Sequence, residues 1–207
     1  MGLERISMIM QNKDNLFDTD LFEPLYKALI DRTDKPGNKY EKIIIDHIKS
    51  STFMISDGVV PTNEGRGYIL RRLIRRAIRA YNQIKQSTSS LDYLIEIVIQ
   101  IYKDSYPELE INKNKIIKLF KKEEEIFQKT LNKGIQEINS LIKSNKTVTS
   151  KDAFYLFETF GFPFELTKEI SLENGVDIND KEFYKLYDEH KVKSKSDKNK
   201  GTQLINF

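Results

Sequence analysis

One segment repeats its apolar residues at the spacing of an α-helix, and this periodicity limits the possible folds more than any other feature. Between residues 67 and 83, six apolar residues recur at helical spacing and form one stripe: Leu70, Leu73, Ile74, Ala77, Ile78 and Tyr81. Apolar spacing and turn residues predict further helices at about residues 3–11, 20–31, 39–56, 90–104, 111–143, 151–159, 164–174 and 180–193. Short polar loops separate them. The sequence therefore predicts an all-α fold, a bundle of several helices.

Composition excludes several classes of functional site. The chain has no cysteine, which rules out disulfides, thiolate metal sites and a cysteine nucleophile. His47 and His190 are its only histidines, so a His-rich zinc site or a His-based triad is disfavoured. His47 lies on an apolar helix face and is predicted to be buried, and the sequence suggests no partner for His190. We predict no catalytic residue and no metal site in this chain.

The sequence carries no pattern for export or membrane insertion. No run approaches 18 apolar residues, and the opening MGLERISMIMQ lacks a basic region followed by a long apolar stretch. We expect a cytoplasmic protein without a membrane partner. The sequence does not distinguish a protein of the cytosol from one of an organelle.

Positive charge is distributed unevenly by residue type. The chain has 8 Arg among 34 basic residues, and six of them lie within 14 positions, at Arg66, Arg71, Arg72, Arg75, Arg76 and Arg79. Arginine grips phosphates and base edges through a planar fork that lysine lacks. The cluster predicts a contact with a nucleic-acid backbone. The alternative is a solvated helix face, or arginines paired with the abundant glutamates.

Three shorter features could contribute to binding. Asn63 stands in the loop VVPTNEGRG, and its carboxamide could read a base edge, or could merely cap the following helix. Arg5 in MGLER stands where a helix N-terminus favours an anion, although such a residue is commonly structural. Glu158 is the one carboxylate of an aromatic segment near Gly161 and Pro163, where core packing or a surface charge is the simpler interpretation.

Taken together, these segments resemble one known family. MGLERISMIMQ, NLFDTDLF, DGVVPTNEGRGYILRRLIRRA, YPEL, EEEIFQKTLNKGI and DAFYLFETFGFPFELTKEI follow the order and approximate spacing found in alanyl-tRNA synthetases. The similarity covers about residues 1–193, and its third block is highly specific. MGLER looks like the end of motif 3 of the class II fold, so Arg5 would contact ATP phosphates. The resemblance implies that motif 1, motif 2 and the alanine-binding residues would precede residue 1.

The resemblance also implies a division of the chain and roles for its residues. Residues 1–35 would end the catalytic domain with a motif 3 remnant, 36–193 would form the helical tRNA-recognition domain, and 194–207 would be a flexible basic tail. Asn63 and Glu158 fall where the family has an Asn and an Asp that flank the acceptor-stem G·U pair. Glutamate in place of aspartate moves the carboxylate by a methylene and puts recognition at that position in doubt.

The implied function is recognition of the tRNA(Ala) acceptor stem within an alanine–tRNA ligase. The complete enzyme would use ATP with Mg2+ and alanine, and this chain alone is predicted to be unable to activate alanine. The alternative is a stand-alone, non-catalytic helical domain that binds RNA or an acidic protein, from a split or truncated gene. A third possibility is a gene fragment that only folds. The sequence does not indicate the oligomeric state.

Overall fold

A computed structural model describes residues 2–34, 36–37, 39–84, 90–145 and 147–190. In this part of the chain, helices joined by loops are the regular elements, and there is no β-strand. The helices are α1 Leu3–Met10, a 3-10 turn Leu16–Asp18, α2 Glu23–Ile30, α3 Lys39–Ser56, α4 Gly65–Ile84, α5 Asp92–Tyr102, α6 Glu108–Ile111, α7 Lys113–Asn145, α8 Ser150–Phe160, α9 Phe164–Glu173 and α10, residues 180–190. The predicted all-α fold is confirmed. The predicted tail 194–207, like residues 191–193, lies outside the described residues.

Local contacts shift some predicted helix starts. Helix α2 begins at Glu23 and not at 20, because Pro24 has no N–H to donate to the Asp20 carbonyl and fits in the first turn of a helix. Helix α5 begins after Leu91 without a side-chain cap, and the nearby Ser90 hydroxyl donates to Glu124 at 2.5 Å.

The predicted helix of about 111–143 is divided near its start. The short α6 ends at Ile111, and α7 begins at Lys113. Asn112 stands at the junction, and its side-chain amide donates to the Ser56 carbonyl at 3.3 Å. This contact joins the junction to the end of α3.

The chain divides into two compact units after Phe127. In the first unit, α3 and α4 pack along each other, and α2 and α5 pack against α3. Fully buried aliphatic side chains fill the interior of this unit, among them Ile44, Ile48, Leu70 and Ile74. Burial of these stripes supplies the main stabilisation of such a unit. The functional division predicted at residues 35 and 193 stays a prediction.

In the second unit, α8, α9 and α10 share an aromatic core. The rings of Phe164 and Phe183 stack with centroids 4.0 Å apart, and Phe157 meets Phe183 edge-on. Gly134 of α7 is buried against the ring of Phe162. The aromatic segment around Glu158 is thus mainly core, as its composition suggested. None of the helices in the described residues is both long and apolar enough to cross a membrane.

Candidate nucleic-acid interface

The loop between α3 and α4 is held against the first turn of α4. Gly58, at φ +86°, ends α3 in the left-handed region that favours glycine. The Thr62 hydroxyl donates to the Glu64 carbonyl at 2.9 Å. A Cβ at Gly67 would overlap the Thr62 hydroxyl and the Val60 carbonyl oxygen, and would lie 2.9 Å from the Thr62 nitrogen. Glycine at 67 therefore allows the loop to approach the helix closely.

Asn63 lies in this loop, exposed to solvent, two residues before α4 begins. Its side-chain oxygen accepts a hydrogen bond from Nη1 of Arg71, two turns along α4. Nη2 of the same arginine points to the Pro61 carbonyl oxygen at 3.4 Å. The loop is thus joined to α4 through the Arg71 side chain, a contact that the sequence did not predict.

The centre of the arginine cluster is an interior ion pair. Glu123 of α7 is 3% exposed, and its Oε1 accepts from Nε of Arg75 at 2.7 Å. Arg75 also lies over the ring of Phe127, with 4.9 Å between its Cζ and the ring centroid. Burial lowers the pKa of Arg75, and the carboxylate of Glu123 opposes that shift. The guanidinium keeps its charge because the ordinary pKa of arginine is far above neutral pH, and the Glu123 carboxylate compensates that charge in the interior.

The six arginines of α4 therefore do not share one surface. Arg66 is exposed, and Arg71, Arg72 and Arg76 are half-buried. Arg75 and Arg79 are 3% and 4% exposed. Burial argues against direct RNA contact by these last two residues. The pairing with glutamate that the sequence left open holds for Arg75.

Glu158 lies in the last turn of α8, and it is exposed. Its Oε1 is 3.1 Å from Nε2 of His190 in α10, whose ring packs against Phe154. The sequence offered no partner for His190, because 32 positions separate the pair along the chain. Asn63 and Glu158 belong to different compact units, and each is described within its own unit.

Arg5 lies exposed on the first turn of α1, at a cleft of about 320 Å³. Lys49 of α3 donates a hydrogen bond to Glu4, and this bond lowers the pKa of Glu4. Burial alone would lower the pKa of Lys49, but the bond to Glu4, the Tyr102 hydroxyl and the charge of Glu4 together outweigh burial, so this pKa is raised. Lys49 is thereby paired with a carboxylate. Arg5, as an exposed guanidinium, fits a phosphate contact.

His47 is 8% exposed, as predicted. Its Nδ1 lies 2.9 Å from Oδ2 of Asp46, whereas Nε2 has no hydrogen-bond partner in the described part of the chain. Among the described residues, no three or more His, Asp or Glu side chains are grouped to hold a metal ion. The contacts of Glu123 and His190 depend on packing between helices, and for Glu123 the sequence signal was only the run of three glutamates in α7.

Comparison with known proteins identifies relatives along almost the whole chain. The family described as tRNA synthetases class II (A) matches residues 1–206. Proteins named alanine–tRNA ligase are similar in Elusimicrobium minutum, with 46% identity over 95% of this chain, and in Thermotoga maritima, with 38% identity over 94%. The relative from Endomicrobium trichonymphae is 40% identical over 95% of the chain. In each case the chain spans 23% of the relative's length.

Proposed function

Because this chain belongs to the class II (A) tRNA synthetases, we propose that it is the tRNA-recognition part of an alanine–tRNA ligase. In this proposal the Asn63 loop and the accessible arginines of α4 bind the acceptor stem of tRNA(Ala). The resemblance to alanyl-tRNA synthetases is confirmed by relatives of that name at 36–46% identity. The whole reaction, its substrates and its partners are part of the proposal.

The observation that carries the proposal is the position of Asn63 beside an arginine helix. Its carboxamide is exposed on a loop held against α4. Besides Arg71, which bonds Asn63 itself, the exposed or half-buried arginines of that helix are Arg66, Arg72 and Arg76. The shallow minor groove of A-form RNA presents base edges and 2′-hydroxyls to short polar side chains. Phosphates on either side of the groove attract guanidinium groups. Asn63, a neutral hydrogen-bonding residue among cations, therefore suits a site in which arginines bind the RNA backbone and one side chain recognises a base.

We assign Glu158 to the same RNA, on the resemblance and on its exposure. Its carboxylate can accept from a base amino group or a 2′-hydroxyl. The carboxylate is exposed at the surface of α8, where Nε2 of His190 lies 3.1 Å from it.

We assign one residue of this chain, Arg5, to ATP. ATP with Mg2+ supplies the phosphate chemistry that activates alanine before transfer to the terminal ribose of tRNA. Arg5 would bind a phosphate oxygen at the cleft on α1. We assign no residue of this chain to alanine and none to the bond-making steps.

The test compares two acceptor-stem RNAs that differ only in a G·U or G·C pair, titrated at fixed salt. Asn63→Ala should bring the two affinities together, because a lost base contact costs about 1–3 kcal/mol of discrimination and leaves phosphate binding in place. Asn114→Ala is the matched control, since Asn114 is exposed at the start of α7. If wild type and Asn63→Ala have the same ratio of G·U to G·C affinity, Asn63 does not recognise the base pair. A stand-alone binding domain would then be the better account.

A further inference from the structure

Arg71 contacts three separate groups at the base of the Asn63 loop. Its Nη1 donates to the Asn63 side-chain oxygen, and its Nη2 lies 3.4 Å from the Pro61 carbonyl oxygen. Its Nε forms an ion pair with Oε1 of Glu123 at 3.3 Å, without a hydrogen bond. The Arg71 side chain is 22% exposed. All three nitrogens of this guanidinium thus face groups of the protein itself, unlike a side chain extended toward solvent.

Glu123 fixes the buried end of this arrangement. Its side chain is 4% exposed, and one oxygen, Oε1, lies 2.5 Å from Nη2 of Arg75 as well as near Arg71. A buried carboxylate is held strongly to its cationic partners, because loss of either charge would leave the other uncompensated. The interior of the first unit therefore fixes the position of Arg71. The two outer nitrogens of Arg71, Nη1 and Nη2, in turn contact the Asn63 loop.

We infer that Arg71, anchored by Glu123, is a positioning residue that orients the Asn63 carboxamide for base recognition, an inference that rests on the proposed function. A guanidinium has donors and no acceptor, so it selects the oxygen of the carboxamide and turns the amide nitrogen to the opposite side. That nitrogen carries two N–H groups. Asn63 accordingly offers RNA a donor in a fixed direction, and Arg71 acts through Asn63 and not through a phosphate.

Arg71→Lys is the sharpest variant for this inference. Lysine keeps the positive charge but carries one compact ammonium, which cannot span Glu123, Pro61 and Asn63 together. We expect the preference for the G·U stem over the G·C stem to fall by roughly tenfold, the effect of one lost base contact. The salt dependence of binding should stay as in wild type. Preserved selectivity in a folded Arg71→Lys protein would overturn the inference.

A double variant separates positioning from an independent contact. If Arg71 works only through Asn63, Arg71→Lys should change selectivity no further once Asn63→Ala is present. Additive losses would indicate that Arg71 contacts RNA itself, and would contradict the positioning role. Glu123→Gln should weaken selectivity in the same way, with Glu125→Gln as control, because Glu125 is exposed on α7 and loses the same charge.

A measurement without RNA distinguishes the positioning role of Arg71 from the proposed function in RNA recognition. The side-chain amide resonances of Asn63 should shift in the free Arg71→Lys protein and stay unchanged in Glu125→Gln. Unmoved resonances in Arg71→Lys would overturn positioning even if wild type discriminates between the stems. Equal binding of both stems by wild type would instead overturn the proposed function, and the inference with it, whatever the resonances show.

Discussion

At the scale of single residues, Asn63 and Glu158 are held by very different partners. Asn63 is bonded to a half-buried arginine with an interior anchor, whereas Glu158 is paired with a histidine at the surface. Exposed ion pairs contribute about 0–1 kcal/mol. The Glu158 carboxylate can therefore leave His190 at little cost when another partner approaches.

The substitution Glu158→Asp tests this position. Aspartate restores the shorter carboxylate of the family, and we expect a sharper preference for the G·U stem over the G·C stem. The measurement is the paired RNA titration at fixed salt. His190→Gln is the control, since it removes the contact with His190 and keeps the carboxylate, and it should leave the ratio unchanged. A surface charge without a recognition role would give the same ratio in all three proteins.

Gly134→Ala tests how closely α7 approaches Phe162. Alanine favours a helix by about 1 kcal/mol over glycine. A Cβ at this position would, however, lie 2.7 Å from Cδ2 of Phe162. We expect net destabilisation of about 1–3 kcal/mol by overpacking, measured by denaturant unfolding. Lys133→Ala, one residue earlier and exposed, is the control. An increase in unfolding free energy for Gly134→Ala would show that the ring gives way.

At the scale of the helix, α4 carries arginines in two different environments. Arg75 and Arg79 are part of the interior, and Arg75 neutralises the buried Glu123. Arg66 is exposed, and Arg72 and Arg76 are half-buried. A helix with both kinds of arginine couples a cationic surface to the core of its unit.

Reversal of Arg72 and Arg76 to glutamate tests the cationic surface. If both residues face phosphates, RNA affinity should fall and its log–log salt slope should flatten by roughly 0.7–0.9 per lost phosphate contact. The control is reversal of Lys115 and Lys118, which are exposed on α7. Circular dichroism should show unchanged helicity. An unchanged slope in the folded Arg72→Glu, Arg76→Glu variant would assign these two residues to a solvated face.

At the scale of the whole molecule, α1 leaves apolar side chains in solvent. Leu3, Ile9 and Met10 are 51%, 72% and 80% exposed. The same short helix carries Arg5, the residue that the resemblance assigns to ATP. Activation of alanine requires two substrates aligned at reacting distance. In the proposed function this chain contributes one such contact, through Arg5, and we assign none of its residues to alanine.

We therefore expect the isolated chain to be inactive in alanine activation. Alanine-dependent ATP–pyrophosphate exchange by the pure protein should equal the background measured without alanine. A full-length alanine–tRNA ligase in the same assay provides the positive control. Exchange above background, proportional to protein concentration, would contradict this prediction.

The sequence by itself established the helices and the family. Apolar spacing predicted every long helix, because a stripe with the period of a helix can be buried only if the segment is helical. It predicted α3 at 39–56 with the observed bounds, and placed Asn63 in the loop before α4. It placed the start of α2 three residues too early and did not predict the break between α6 and α7. There Pro24 and the Asn112 contact with Ser56 set the ends of the helices.

Only the tertiary structure showed which arginines of α4 are buried beside a carboxylate and which are accessible. Arg71, Arg72, Arg75 and Arg76 have the same chemistry in the sequence, and helical spacing alone does not distinguish a phosphate contact from an ion pair. Glu123 lies 48 positions beyond Arg75, and the packing of α7 against α4 brings its carboxylate to the guanidinium. Because burial of one charge requires a second charge beside it, that packing fixed Arg75 in the core and gave Arg71 its place under Asn63.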